Sequence, residues 1–526
     1  MTTTAFDTGG RDLGYHVAAR TVVGRCPAPL NAFEVAVILE TCGYTATRAR
    51  ALGAQSLPDL AQHVFDLVPL YASSAAGEVA EPVSVRATAP GLVDLARGFA
   101  YSSPWLVSLA TLLIAGVSFW SSDVAIPSVA NAVTLATAVA LLVTGPFIQA
   151  FGRRASFYIG LDDQGMVVRV TRLTLELGLV VTLAACIVLF AGRDVLGAGT
   201  PATTRLGIAA GVSIAALQLG LAAFYVRRAF LAIGVVVITG AGALLLLVAR
   251  AGSYVDPTVL VVWQIRLVAL MAAVCWVMSA WWLLRVPPSP HDPLWRPSLS
   301  ALVRSVAPYA LYGVAFFSIV VLPQLASCDV LAGRYIFNPV FAMTSGTALV
   351  VLVPLLAQTV ASTERLLVQQ FPAWLTQFTV AQVEGFRGEL RQYWRNQLWM
   401  LLALGGVAAV VVLVVAPTLG AQVPLLADLV HYPGMLAACV AGYLLLGVGL
   451  FSSQLLFSLS APMRPLAAGV AGCAGVVVGT LATMGLGATV SATVGLVAGA
   501  AAYAALATAL ARDAFAHADF TYYRAL

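Results

Sequence analysis

The sequence contains no lysine. All 28 basic residues among its 526 are arginine, which excludes a P-loop lysine, a Schiff-base lysine and the phosphate-gripping lysine of a kinase. If movement of a substrate needs ATP here, another subunit supplies it. Charge of either sign is also scarce. Only 10% of the residues are charged while 60% are hydrophobic, against roughly 25% charged in soluble domains. A chain this poor in charge cannot keep a water-facing surface, and lipid is the natural solvent for its exposed side chains.

Other absences narrow the chemistry. There is no CxxC, no HExxH and no other metal-ligand spacing, so no metal site and no cofactor is expected. The seven cysteines are scattered, and Cys186, Cys275, Cys328, Cys439 and Cys473 lie in or beside apolar runs, where small apolar packing is the expected role. No nucleophile elbow, paired carboxylates or phosphate-cradling loop occurs, so catalysis within this chain is not expected. The first long apolar run opens near Ser103 with no basic leader segment ahead of it, and no cleaved signal peptide is expected.

What is present is a succession of apolar runs, near residues 102–121, 129–151, 174–192, 206–226, 229–249, 258–284, 301–322, 338–360, 396–416, 433–458, 465–486 and 489–511. Each reaches or nearly reaches the roughly 20 residues that span a bilayer core. Between 226 and 229 only Arg227 and Arg228 separate two runs. With the N-terminal segment inside, the inner connections carry sixteen arginines and the outer ones only Arg193, Arg205, Arg250 and Arg334, the bias the positive-inside rule demands. Length and charge agree on about twelve transmembrane helices, multi-pass in the cytoplasmic membrane, with both termini cytoplasmic.

Residues 1–72 read as a small helical cytoplasmic domain and 73–95 as an Ala/Ser/Glu/Pro-rich linker. From Asn31 to Leu67 the pattern gives three short helices, with Gly43 a stop, Thr45 a cap, Gly53 a second stop and Ser56 with Pro58 a new start. Arg48 and Arg50 are the only basic residues in 31–70, too few for a nucleic-acid footprint. Residues 96–290 and 291–526 then form two halves of six runs. A weak echo links them: the second run carries Pro146, Gln149 and Arg153, and the eighth carries Pro354, Gln358 and Arg365. Two halves of like orientation are related by an axis along the membrane normal.

Few residues inside the runs carry chemistry. Arg266 is the one charge well inside a run, at a cost of about 2.5–3.5 kcal/mol on insertion scales for a helix centre. Either it lines a polar cavity with Trp263, one turn earlier on the same face, or it snorkels outward. Gln264, two residues away, points to another side and is set aside. The connection 361–395 is amphipathic, with Phe371, Trp374, Leu375, Phe378, Val383, Phe386, Leu390 and Tyr393 at helical spacing. It reads as a helix in the headgroup region or as a docking helix for a cytosolic partner. Gly475 and Gly479 form a GxxxG for close helix packing. Asp123, Asp194, Asp256, Asp329 and Asp428 are isolated acids in or near outer loops and read as solvated charge.

Several segments resemble the Pel-type exopolysaccharide transporter family (PelG), within the multidrug/oligosaccharidyl-lipid/polysaccharide (MOP) flippase superfamily. "SSPWLVSLATLLIAG" (Ser102 through Gly116) is similar to the family's first helix. "LLVTGPFIQAFGRR", with Thr144, Gly145 and Pro146, resembles its second. "VLVPLLAQTVASTERLLVQQF" resembles its eighth helix and following loop, with Glu364 at an acidic position there, and "FTYYRAL" is similar to its ending. Phe317, Ser318, Ile319 and Val320 stand where the family often carries an Asp-Lys pair, and the N-terminal domain is extra.

The resemblance covers roughly residues 95–526. It implies a MATE/MOP-like fold of two six-helix bundles around a central cavity, alternating in access and exporting a polysaccharide. A cytosolic glycosyltransferase and small membrane subunits would work beside it. Candidate pathway residues are Arg266, Trp263, Thr144, Gln149, Thr344 and Ser345, since hydroxyls, amides and an aromatic face suit sugar. Candidate partner-facing residues are Glu364, Phe371, Trp374 and Phe378. Two readings compete with export, a membrane glycosyltransferase or polymerase using an outer aspartate and a membrane scaffold recruiting partners through residues 1–95.

Overall fold

A computed structural model describes residues 8–25, 29, 32–75, 92–120, 127–160, 164–192, 200–251, 256–285, 299–331, 334–336, 338–366, 370, 374, 383–420 and 431–517. Its contacts divide the chain into two units, residues 1–85 with 160–162, and 86–159 with 163–526.

The small unit holds α1 (Thr8–Arg25), α2 (Ala32–Thr41), α3 (Ala46–Ala51) and α4 (Leu57–Ala75). The punctuation expected between Asn31 and Leu67 is the punctuation observed. Gly43 and Gly53 take φ of +82° and +92°, the left-handed conformation that ends a helix and that glycine adopts without a Cβ clash. Thr45 Oγ1 accepts the Arg48 N–H at 3.3 Å. Ser56 Oγ accepts the Asp59 N–H at 3.3 Å while Asp59 Oδ2 accepts that of Gln55 at 2.7 Å, a reciprocal cap. The core is small: Ala18, Val22, Val35, Leu39, Leu60 and Val64 meet at its centre. Helix α1 was not anticipated, because its Gly- and Ala-rich sequence presents only a thin apolar stripe.

Among the described residues, the regular structure of the large unit is helical apart from one short antiparallel hairpin, Asp329–Leu331 with Arg334–Ile336. Its first half comprises α5 (Leu92–Ala115), α6 (Pro127–Gly160), α7 (Gln164–Ala191), α8 (Pro201–Val226), α9 (Phe230–Ala251) and α10 (Pro257–Arg285). The second comprises α11 (Leu299–Ala326), α12 (Pro339–Ala348) running through one 3₁₀ turn into α13 (Leu352–Arg365), α14 (Val383–Gly420), α15 (Pro433–Ser458), α16 (Met463–Ala482) and α17 (Ala488–Ala516). Counting α12–α13 as one, eleven of these are long and apolar enough to cross a membrane. Valines and leucines such as Val188, Leu231 and Val407 stand 75%, 87% and 64% exposed on them, tolerable only against lipid. This is a multi-pass membrane protein.

Three boundaries differ from the sequence pattern. The first run, expected over 102–121, begins ten residues earlier and is helical only to Ala115. The eighth tightens to 3₁₀ over Leu349–Val351, just before Pro354, which has no N–H to donate back into that turn. Residues 383–395, expected within a separate surface segment, are the first turns of the 38-residue α14, since no breaker separates them from the ninth run.

Each half has its own core. Phe224, Val237, Met271 and Cys275 belong to the first, and Tyr312, Leu355, Tyr443, Leu446 and Tyr503 to the second. Within the second, α16 and α17 approach through two facing GxxxG motifs. A Cβ on Gly475 would lie 2.9 Å from the Ala498 carbonyl oxygen, and one on Gly499 would lie 2.8 Å from that of Gly472. The sequence pattern identified only the first of these motifs.

Candidate functional site

The halves meet along a seam that runs from their arginine-rich ends toward the middle of the helices. On α5, a side chain at Gly98 would run into the Ala357 carbonyl oxygen of α13, and Ser102 Oγ donates to the Val353 carbonyl at 3.3 Å. On α6, Gly145 faces Gly313 and Phe317 of α11, where a Cβ on Gly313 would sit 2.7 Å from the Gly145 carbonyl oxygen. First helix against second, second against first: the two crossings are the same contact made twice, as an axis along the membrane normal requires.

Two turns repeat the relation. The chain leaves α8 through Arg228 and α15 through Ser460, and both take φ of +55°, the only non-glycine residues with positive φ among those described. Both turns close with the same pair of hydrogen bonds. Arg228 N–H reaches the Tyr225 carbonyl and Ala229 N–H that of Phe224, while Ser460 N–H reaches Phe457 and Ala461 N–H reaches Leu456, all at 3.0–3.1 Å. These are Schellman closures with a side chain where glycine is usual. Each is tied to the leading helix of its own half by an aromatic pair, Tyr225 on Tyr101 at 4.9 Å and Phe457 on Tyr309 at 5.0 Å.

Each turn then reaches across the seam. Arg228 Nη1 lies 3.2 Å from Glu364 Oε1 at the end of α13. Arg153 Nη2, near the end of α6, donates to Ser460 Oγ at 3.2 Å, with its guanidinium 5.5 Å from the Tyr309 ring centroid. The second helix of each half is thus latched to the fourth-to-fifth turn of the other. A left-handed non-glycine residue costs about 1–2 kcal/mol, so two at equivalent latching positions point to function rather than accident.

The residues singled out in the sequence fall in different places. Gln149 lies four residues after Gly145 and four before Arg153, on the seam-facing stripe of α6, and is half-buried. Thr144 is fully buried, its hydroxyl within hydrogen-bond reach of both the Ala140 carbonyl and Gln218 Oε1 of its own half. Thr344 donates to the Val340 carbonyl at 2.7 Å, and Ser345 accepts from Gln324 Nε2 at 2.6 Å; both are buried inside the second half. Trp263 is 48% exposed with the Arg266 guanidinium 5.0 Å from its ring centroid, so this pair stands on the outer surface of α10. Glu364 is at the seam. Trp374 is 1% exposed, its ring meeting Phe386 and Tyr393 of its own chain, and Phe371 and Phe378 lie outside the described residues.

Sequence reasoning missed Gly98, Arg228, Gly313 and Ser460, and it set aside Gln264, which is 2% exposed and donates to the Ser118 carbonyl at 2.6 Å. Among the described residues no Asp, Glu or Arg is buried, and the buried polar groups are hydroxyls and amides. Among the same residues no group of three His, Cys, Asp or Glu could hold a metal ion.

No family model matches the sequence, and no curated protein matches it as a relative. Solved structures do. The chain is similar to an inward-facing structure of a multidrug resistance MATE family transporter of the MOP superfamily, at TM-score 0.53, 14% identity, and 84% and 98% of the two chains covered. An outward-facing structure of a transporter so described gives 0.52, 15%, 81% and 96%. A Pyrococcus furiosus MOP superfamily transporter, noted for the reversed polarity of its binding pocket, gives 0.55, 17%, 81% and 96%. At such identities the likeness shows the fold, and the fold is that of MATE/MOP transporters.

Proposed function

We propose that this chain is a membrane transporter of the alternating-access type and that its cargo is a polysaccharide moved out across the cytoplasmic membrane. The observation that carries the transporter reading is the twofold-repeated seam. Two bundles with separate cores, joined through glycine crossings and two light latches, can part there without disrupting either core. The arginine-rich side, where the seam lies, is the cytoplasmic side, and both termini are cytoplasmic. The glycan reading is favoured by the resemblance of the first, second and eighth helices to Pel-type transporters. It is also favoured by an interior whose described polar groups are uncharged hydroxyls and amides, suited to a hydroxyl-rich ligand. A cytosolic glycosyltransferase would deliver the chain, and small membrane subunits would assemble beside the transporter.

The test is deletion of the gene with any neighbouring glycosyltransferase left intact, followed by measurement of glycan at the surface and inside the cell. Loss of surface glycan with build-up inside is expected. Unchanged surface glycan would overturn the polysaccharide reading, and loss of synthesis with no build-up would favour a polymerase or an obligate assembly subunit.

A further inference from the structure

Between α5 and α6 the backbone turns back on itself. Helix α5 stops at Ala115, Gly116 takes φ of +68°, and the chain doubles back along the helix it has just left. The Phe119 N–H donates to Ser108 Oγ at 3.0 Å. Ser108 lies seven residues before the end of α5, about 10 Å along the axis. Thr137 Oγ1, ten residues into α6, donates to the Trp120 carbonyl at 2.9 Å, and Gln264 Nε2, seven residues into α10, donates to that of Ser118 at 2.6 Å. Non-helical backbone therefore lies alongside three helices, not beyond their ends. In lipid such backbone persists only where protein buries it or where it borders a water-filled cavity.

Val117, Ser118 and Phe119 are buried. Trp120 is half-buried, its ring against that of Trp105 with centroids 4.9 Å apart and planes at 45°. Trp105 follows Gly98 by seven residues and Ser102 by three, so it occupies the next position on the face of α5 that touches α13 at the seam. Trp105 thus lies just beyond the seam on that face, and the Trp120 ring beside it also rests on the core of its own half.

We propose that Trp105 and Trp120 form a carbohydrate subsite on the transport path, with the re-entrant segment as its rigid support. The inference rests on the glycan-transport reading and deepens it. An indole offers a flat apolar face that takes the C–H face of a pyranose while the sugar hydroxyls stay with polar neighbours. Two rings at 45° make an open corner, which receives one sugar ring against a face and an edge. Hydrogen bonds from three helices fix the backbone beneath Trp120, so little ordering entropy is lost when a ligand arrives. A cation would also find the indole faces, but the described interior of this half supplies no buried carboxylate to balance its charge.

The experiment is calorimetric titration of the purified full-length protein in detergent with chitotetraose, a neutral β-linked oligosaccharide, and separately with tetraphenylphosphonium. Trp105→Ala and Trp120→Ala should each weaken chitotetraose binding about tenfold or more, while Trp120→Phe, which keeps an aromatic face, stays within about threefold. Trp263→Ala, on the outer surface, should change nothing. Rescue by the phenylalanine variant separates a lost contact from a misfolded chain. Absence of chitotetraose binding to the wild type, equal binding in both alanine variants, or binding of tetraphenylphosphonium in preference would each overturn the subsite. Export separates the two levels: surface glycan fully restored by Trp120→Ala in the deletion strain overturns the subsite and leaves the transport reading standing. Surface glycan unchanged by the deletion overturns both.

Discussion

The two ends of the membrane unit differ in whether polar groups cross between the bundles. On the arginine-rich side Ser102, Arg153, Arg228, Glu364 and Ser460 reach across to the other bundle. Toward the opposite side four bonds stay within a bundle: Gln264 holds Ser118 and Thr137 holds Trp120 in the first half, while Gln324 holds Ser345 and Asn338 Nδ2 donates to Thr489 Oγ1 at 3.1 Å in the second. Polar groups spent within a bundle make it a rigid body; polar groups spent between bundles make a joint. A rocking transporter needs rigid bodies and a joint that can let go; the cross-bundle bonds lie at the arginine-rich end, beside bonds within a bundle such as Gln358 Nε2 to Gln397 Oε1 at 2.8 Å.

The largest effect is expected from wedging the joint. Gly98→Leu places a side chain where the Ala357 carbonyl stands, and overpacking costs about 1–3 kcal/mol, enough to move a two-state equilibrium roughly ten- to hundredfold. A cysteine introduced at Gln149 on the seam stripe, in a chain whose native cysteines are replaced, reports the outcome. Its labelling by a membrane-impermeant maleimide from the arginine-rich side should rise by about tenfold in the Gly98→Leu background. Labelling at the parent rate would mean the seam does not close that side.

Breaking a rigid body instead should leave the joint alone. Gln264→Leu keeps the apolar packing but leaves the Ser118 carbonyl without this donor, a loss of about 1–3 kcal/mol for a buried group. The melting temperature should fall while labelling at position 149 stays at the parent level. A rise in labelling would show that the re-entrant segment and the seam are coupled.

Gln264 also marks the limit of what the sequence discloses. Apolar runs and arginine bias add up over some twenty residues each, so the spans, the two halves and the caps of the small unit are legible. The seam is not, because Gly98 and Ala357 lie 259 positions apart and neither glycine of the Gly145–Gly313 crossing names its partner. The Pro146/Pro354 echo pointed to paired helices but not to what they touch. Arg266 stood out as a charge in an apolar run, whereas Gln264, one face around the helix, looked ordinary. Helical angle alone decided which of the two met the protein interior.

The latches should give the smallest effect and separate two explanations for the left-handed Arg228 and Ser460. If these are merely turns, glycine is the better residue at both, and Ser460→Gly and Arg228→Gly should each stabilise the protein by about 1 kcal/mol with no change at the seam. If they are latches, the same relief of strain comes with a loss. Ser460→Gly removes the acceptor of Arg153 Nη2, and Arg228→Gly removes an ion pair whose side chains are 55% and 21% exposed, worth about 0.2–1 kcal/mol at such exposure. The two terms nearly cancel in the melting temperature but not at the joint, because the strain lies within one bundle and the lost bond lies between two. The latch account therefore expects a near-constant melting temperature together with a two- to threefold rise in labelling at position 149, from a loss of about 0.5 kcal/mol of seam energy. A higher melting temperature with unchanged labelling would return both residues to the status of turns.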